Sequence, residues 1–164
     1  RGLRSFSRAA DQDPTALSSI KEIVEDTLSF CRERFAHHRV DLRIGALPDI
    51  SIDCRRTEIS QVLLNLLNNA FDATEEMPER WVELSVAFPR QGVVHLRVTD
   101  SGPGFSPEIA DRIMEPFFTT KEVGRGTGLG LSISQGIAES HNGKLFVDHA
   151  VGYTCFVLEL NLPR

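Results

Sequence analysis

A chain of 164 residues is one domain's worth, long enough to bury a core without disulfides or a structural metal. Its 41% hydrophobic and 25% charged residues are an ordinary globular balance, and a net charge of −5 argues against nucleic acid as a partner, since such binders present basic surfaces. Cys31, Cys54 and Cys155 are far apart and odd in number, with no zinc spacing, so they read as reduced structural thiols of a cytoplasmic protein. No apolar run reaches the length of a membrane span, which argues against direct membrane contact. No signal peptide opens the chain, and a start at Arg1 without methionine reads as a fragment.

In chain order, residues 1–10 look helical and DQDP at 11–14 breaks them off. From Thr15 to about His38, apolar residues at Leu17, Ile20, Ile23, Val24, Leu28 and Cys31 carry helix spacing. Val40, Leu42 and Ile44 alternate with charges and predict a strand, and Ile50–Asp53 predicts a short second one. Thr57 to about Glu76 is helical again, until Met77-Pro78 ends it. Two alternating strands follow, around Val82–Phe88 and Val94–Val98, joined like a hairpin by Pro89–Gly92.

Ser101 to Arg125 is long and irregular, with at most one short helix, the signature of a functional lid or a disordered stretch. A helix from about Thr127 to His141 stops at Asn142-Gly143, and strands at Leu145–Val147 and Phe156–Leu160 close the chain. The strands alternate, so one sheet face is buried. The expected fold is an α/β two-layer sandwich, with about three helices on one face of a mixed five-stranded sheet and a long lid.

Three stretches carry chemistry. In QVLLNLLNNAFDA, Gln61, Asn65 and Asn69 stand four apart and Asp72 three further on, one helical stripe separate from Leu63, Leu67 and Ala70. Amides and a carboxylate in a row suit a wet, polar ligand, and their oxygens suit Mg²⁺; a plain solvated face is the competing reading. Asp100 shares strand parity with Val94, Leu96 and Val98, so its carboxylate points to the covered side, above Gly102 and Gly104. It can accept an exocyclic amine such as that of adenine, or simply open a β-turn. Gly124, Gly126, Gly128 and Gly130 run into a helix start beside Lys121 and Arg125, an arrangement for a phosphate. A flexible hinge accounts for one or two of these glycines but not for the alternation. The spacing fits neither a dinucleotide fingerprint, nor a Walker loop, nor the eukaryotic protein-kinase set.

Together, QVLLNLLNNAFDA, DSGPGF, EPFFTTK and GRGTGLGLS resemble, in order, the asparagine, first glycine, phenylalanine and second glycine boxes of bacterial sensor histidine kinase catalytic domains. These domains belong to an ATPase superfamily shared with DNA gyrase, mismatch-repair ATPases and a heat-shock chaperone. The resemblance implies a catalytic domain over residues 13–164, with residues 1–12 as the tail of a dimerisation and phosphoacceptor helix. It implies ATP and Mg²⁺ as cofactors, with Asn69 on the metal and Asp100 on the adenine amine. Gly102 and Gly104 line the base, and Thr154 points inward near it. Phe117, Phe118, Thr119, Thr120 and Lys121 belong to the lid, with Arg125 beside it. Gly126, Thr127, Gly128, Leu129, Gly130 and Leu131 wrap the phosphates. Hydrolysing relatives carry glutamate where Asn65 stands; an amide cannot abstract a proton, which favours transfer to an external nucleophile. Asn65 and Lys121 are therefore the expected catalytic positions. Asp72 stands where many members carry a cation, so a water-mediated contact to the metal is its expected role; Tyr153 replaces a usual glycine.

No acceptor-histidine motif is present. His37, His38, His95 and His149 read as structural, His95 on an exposed strand face, and His141 as a helix-end residue where a cation is favoured. The implied partners are the helical hairpin of a parent kinase and, downstream, a response regulator. The expected place is the cytoplasm, whether or not the parent is membrane-anchored. A nucleotide-sensing module that transfers nothing, and an ATP-hydrolysing relative, are the rival readings.

Overall fold

In the computed structural model, residues 14–119, 128–149 and 152–164 are described. The expected helix at 1–10 lies outside them. The elements are β1 (Ala16–Ser19), α1 (Ile20–His37), β2 (Asp41–Ile44), β3 (Ser51–Cys54), α2 (Arg56–Ala73), β4 (Trp81–Arg90), β5 (Val93–Asp100), α3 (Pro107–Arg112), α4 (Gly130–Ser140), β6 (Lys144–Val147) and β7 (Thr154–Asn161). Five strands form one mixed sheet in the order β2-β4-β5-β7-β6, with β2 and β4 parallel and the other neighbours antiparallel. Helices α1, α2 and α4 form the second layer, so the expected sandwich is the one observed. Among the described residues no helix is long and apolar enough to cross a membrane.

The first helix is shorter than its apolar spacing predicts. Residues 16–19 form β1, which pairs antiparallel with β3 in a separate two-stranded ribbon, with Ala16 opposite Cys54. Leu17 matched the helical pattern by coincidence: it is 69% exposed. The helix starts after Ser19, whose extended backbone and hydroxyl cap the Glu22 amide at 3.4 Å. The second predicted strand is therefore real, at Ser51–Cys54, but outside the main sheet. Pro89 belongs to β4, in the stretch between Ala87 and Arg90 where the register shifts, a place where a missing N–H costs nothing; the turn itself is Gln91-Gly92, with Gly92 at φ 78.

Helix α4 begins at Gly130, with Leu129 as its N-cap; Thr127 lies outside the described residues. Its stop at Asn142-Gly143 is as expected. Asn142 takes φ 56, and the Gly143 amide donates back to the Ala138 carbonyl at 2.8 Å. His141 is held at both ring nitrogens. Its Nε2 accepts from the Arg55 amide at 3.1 Å, which leaves Nδ1–H to donate to the Ile137 carbonyl at 2.8 Å.

Ile20, Ile23, Val24, Ile59, Leu63, Leu66, Leu67, Leu84 and Leu96 fill the layer between helices and sheet, each at most 1% exposed. The opposite sheet face is less open than alternation implies. His95, expected to be exposed, is 8% exposed, and Cys155 and Val157 are fully covered. Long side chains lie across them: His95 bonds Glu159 at 2.7 Å and stacks edge-on with Phe146, and Arg97 bonds Asp148 at 2.7 Å.

Candidate functional site

A cleft of about 470 Å³ opens between α2 and the stretch preceding α4. Its floor is the polar face of α2: Asn65, Asn68, Asn69, Asp72 and Ala73. These residues lie opposite the apolar positions that anchor α2, so one periodicity builds both the core and the site.

One end of the cleft is built around Asp100. This residue ends β5, opposite Val82 on one side and Thr154 on the other, and is 2% exposed. The Gly102 amide donates to its Oδ1 at 2.8 Å. Burial pushes the carboxyl up to about 6, against the opposing pull of that hydrogen bond. Gly102 has no room for a side chain: a Cβ would sit 2.7 Å from both the Ala73 carbonyl oxygen and Asp100 Oδ1. Gly104 takes φ 80, and its Cβ position is 3.7 Å from the Thr154 hydroxyl. Phe105, Ile113 and Phe156 supply apolar walls. A buried acceptor in an apolar slot fits a flat heteroaromatic ring that carries an N–H donor.

The other end has a strained frame. Phe117, 74% exposed, takes φ 65, and Gly128 takes φ 69. The Phe117 amide donates to the Gly128 carbonyl at 2.9 Å, and a Cβ on Gly128 would strike the Phe117 carbonyl carbon at 2.3 Å. Left-handed backbone at a bulky aromatic costs on the order of 1–3 kcal/mol and marks a segment held by its surroundings. Just beyond, α4 starts at Gly130, and its N-cap Leu129 makes no side-chain cap hydrogen bond. Asn65 ties this end to the floor: its Nδ2 donates to Ser134 Oγ at 3.1 Å, and its Oδ1 occupies the place a Gly130 Cβ would need, 2.4 Å away.

Of the residues expected from the sequence, the cleft unites Asn65, Asn69, Asp72 and Asp100 with Phe118, Thr119, Gly128, Gly130 and Leu131. Gly102, Gly104 and Thr154 support the Asp100 end without lining the cleft, Phe117 points to solvent, and Leu129 is the helix cap. Thr120, Lys121, Arg125, Gly126 and Thr127 lie outside the described residues. Asn68, Ala73, Phe105, Ile113 and Phe156 line the cleft and were not expected. Helical spacing could have found the first two, since Asn68 is three past Asn65 and Ala73 four past Asn69.

Among the described residues no three His, Cys, Asp or Glu side chains cluster to hold a metal. Mg²⁺ requires no such cage. It takes one or two protein oxygens and completes its shell with water and ligand phosphates, and Asn69 and Asp72 offer a carbonyl and a carboxylate on one wall. The residues present fit that ion.

This layered architecture and its cleft are those of an ATP-binding α/β sandwich. The chain belongs to the histidine kinase-, DNA gyrase B-, and HSP90-like ATPase family, whose model matches residues 54–164. It is 34% identical over 161 residues to the C4-dicarboxylate transport sensor protein DctB of Rhizobium meliloti, covering 96% of this chain and 25% of that protein. It is 35% identical over 169 aligned residues to the C4-dicarboxylate transport sensor protein DctS of Rhodobacter capsulatus, covering 100% of this chain and 25% of that one. The solved catalytic domain of histidine kinase ThkA shares the fold with a TM-score of 0.79 at 29% identity, over 92% of this chain and 97% of that one. The chain thus spans about a quarter of the length of these curated relatives.

Proposed function

We propose that residues 13–164 are the catalytic domain of a protein-histidine kinase, and that residues 1–12 are the tail of its dimerisation helix. The domain binds ATP with Mg²⁺ and passes the γ-phosphoryl group to a histidine on a helical hairpin of the parent protein, in the cytoplasm. A response-regulator aspartate receives it next. The observation that carries this reading is one cleft that has a buried carboxylate at one end and a glycine-framed helix start at the other.

In this reading Asp100 accepts the adenine amine, with Gly102 holding its carboxylate and Gly104 and Thr154 closing around the ring. Gly126 to Leu131 wrap the phosphates with backbone amides, and Lys121 and Arg125 offset their charge. Asn69 would hold Mg²⁺, with Asp72 nearby, and the ion would supply charge neutralisation at the phosphates. Asn65 braces α2 against α4 and offers no base to activate water, so transfer is favoured over hydrolysis.

Radiolabelled ATP tests this. The chain alone should stay unlabelled and release phosphate slowly, and adding the parent kinase's hairpin should label the hairpin at an acid-labile, base-stable site. Rapid phosphate release by the chain alone would place it with the hydrolysing relatives. Tight nucleotide binding with no label on the hairpin would make it a sensing module.

A further inference from the structure

Arg34 sits on α1, away from the cleft, yet its guanidinium reaches two residues of the cleft floor. Its NH1 donates to Asn68 Oδ1 at 3.0 Å and its NH2 to Asp72 Oδ1 at 3.4 Å, and the group lies 4.0 Å over the Phe71 ring. A guanidinium has donors only, so the atom of Asn68 that faces it must be the carbonyl oxygen. This settles an ambiguity that side-chain amides usually leave open. The Asn68 Nδ2 is then turned the other way, and among the described residues nothing accepts from it. Asn68 lines the cleft and is half-buried.

From Asn65, at the glycine-framed end, the helix rises roughly 4.5 Å to Asn68 and roughly 12 Å to Ala73, which flanks Asp100. The amide donor therefore stands between the two ends, where the phosphate chain of a bound nucleotide would run. Its chemistry differs from that of Asn69, because an NH₂ group can donate to an oxyanion but cannot ligate a cation.

We propose that Asn68 donates from Nδ2 to a phosphate oxygen of the nucleotide, and that Arg34 is the positioning residue that fixes the amide for this. The inference rests on the ATP reading of the cleft and adds a contact to it.

Calorimetry on the intact chain, with Mg²⁺·ADP and with adenosine as probes, tests both residues. Asn68→Ala should weaken ADP by about tenfold, the worth of one hydrogen bond to a charged group, and leave adenosine unchanged. Asn68→Asp keeps an acceptor for Arg34 while removing the donor, so it should also weaken ADP without lowering the melting temperature. Arg34→Gln should weaken ADP in the parent background but add nothing to Asn68→Ala, because it acts through Asn68. ADP binding in Asn68→Ala equal to the parent's would overturn the inference and leave the ATP reading intact. Equal losses for adenosine and ADP would overturn the phosphate assignment. A parent chain that binds neither probe would overturn the inference and the ATP reading together.

Discussion

Leu63, Leu66 and Leu67 on one side of α2 are fully covered, whereas Asn65, Asn68, Asn69 and Asp72 on the other stand half-exposed along the cleft. The first side meets the sheet and α1 with interchangeable hydrophobic contacts. The second meets a carboxylate that burial makes unfavourable, two residues in left-handed backbone and a glycine whose Cβ position another side chain already fills. One helix thus separates a region that stabilises the fold from a region that is held in place by it. Groups held in an unfavourable state by their surroundings concentrate where function needs them.

The largest expected effect breaks the stabilising side. Leu63→Ala should lower unfolding free energy by about 3–4 kcal/mol in urea melts, the usual cost of a core leucine. Nucleotide affinity of the protein that remains folded should not change, and a large loss of affinity would show that the two sides are not separable.

Asp100→Asn should act in the opposite direction. The folded carboxyl is raised from 3.8 to about 6, so between those values the folded protein keeps a proton the unfolded chain has lost. Stability contributed by the protonated form is full below the lower value and is lost as pH rises through the upper one. Replacing Asp100 by Asn should therefore raise stability by about 2–3 kcal/mol above pH 6, with the gain shrinking to nothing near pH 4. Urea melts from pH 4 to 8 check this; a gain independent of pH would show that the carboxylate is not the cause.

The smallest effect is at the strained frame. Gly128→Ala adds a methyl against the Phe117 backbone in a left-handed conformation, and should cost about 1–2 kcal/mol, mostly as local opening. Hydrogen exchange at the Phe117 amide, which bonds the Gly128 carbonyl, should quicken more than exchange in α2. Uniform quickening would mean that this frame is part of the global core.

Much of this was legible before the structure. The α2 stripe and the inward Asp100 follow from two periodicities, and local geometry enforces both. β1 was hidden because Leu17 and Ile20 keep helical spacing across a strand–helix junction, and only the ladder to β3 reveals it. The burial of His95 depends on Glu159 and Phe146, distant in sequence, and parity cannot see what lies across a sheet face. Arg34 reaches Asn68 from 34 residues away, a tertiary contact that leaves no mark in the spacing of either helix. The polar residues of the site were readable where they share one element, and unreadable where another element sets their orientation.

Trp81 has a practical consequence for anyone who studies the cleft. It is the chain's single tryptophan. Its amide donates to the Ser101 hydroxyl at 3.0 Å, its carbonyl accepts from the Ser101 amide at 3.1 Å, and its ring meets Tyr153 edge-on at 5.0 Å with Arg43 above it. Ser101 directly follows Asp100, and Tyr153 directly precedes Thr154. All the indole emission of the unlabelled protein therefore comes from one place, two bonded steps from the buried carboxylate. Any rearrangement of the turn after Asp100 changes the surroundings of that one fluorophore, so occupancy of the Asp100 end of the cleft can be followed optically without adding a dye.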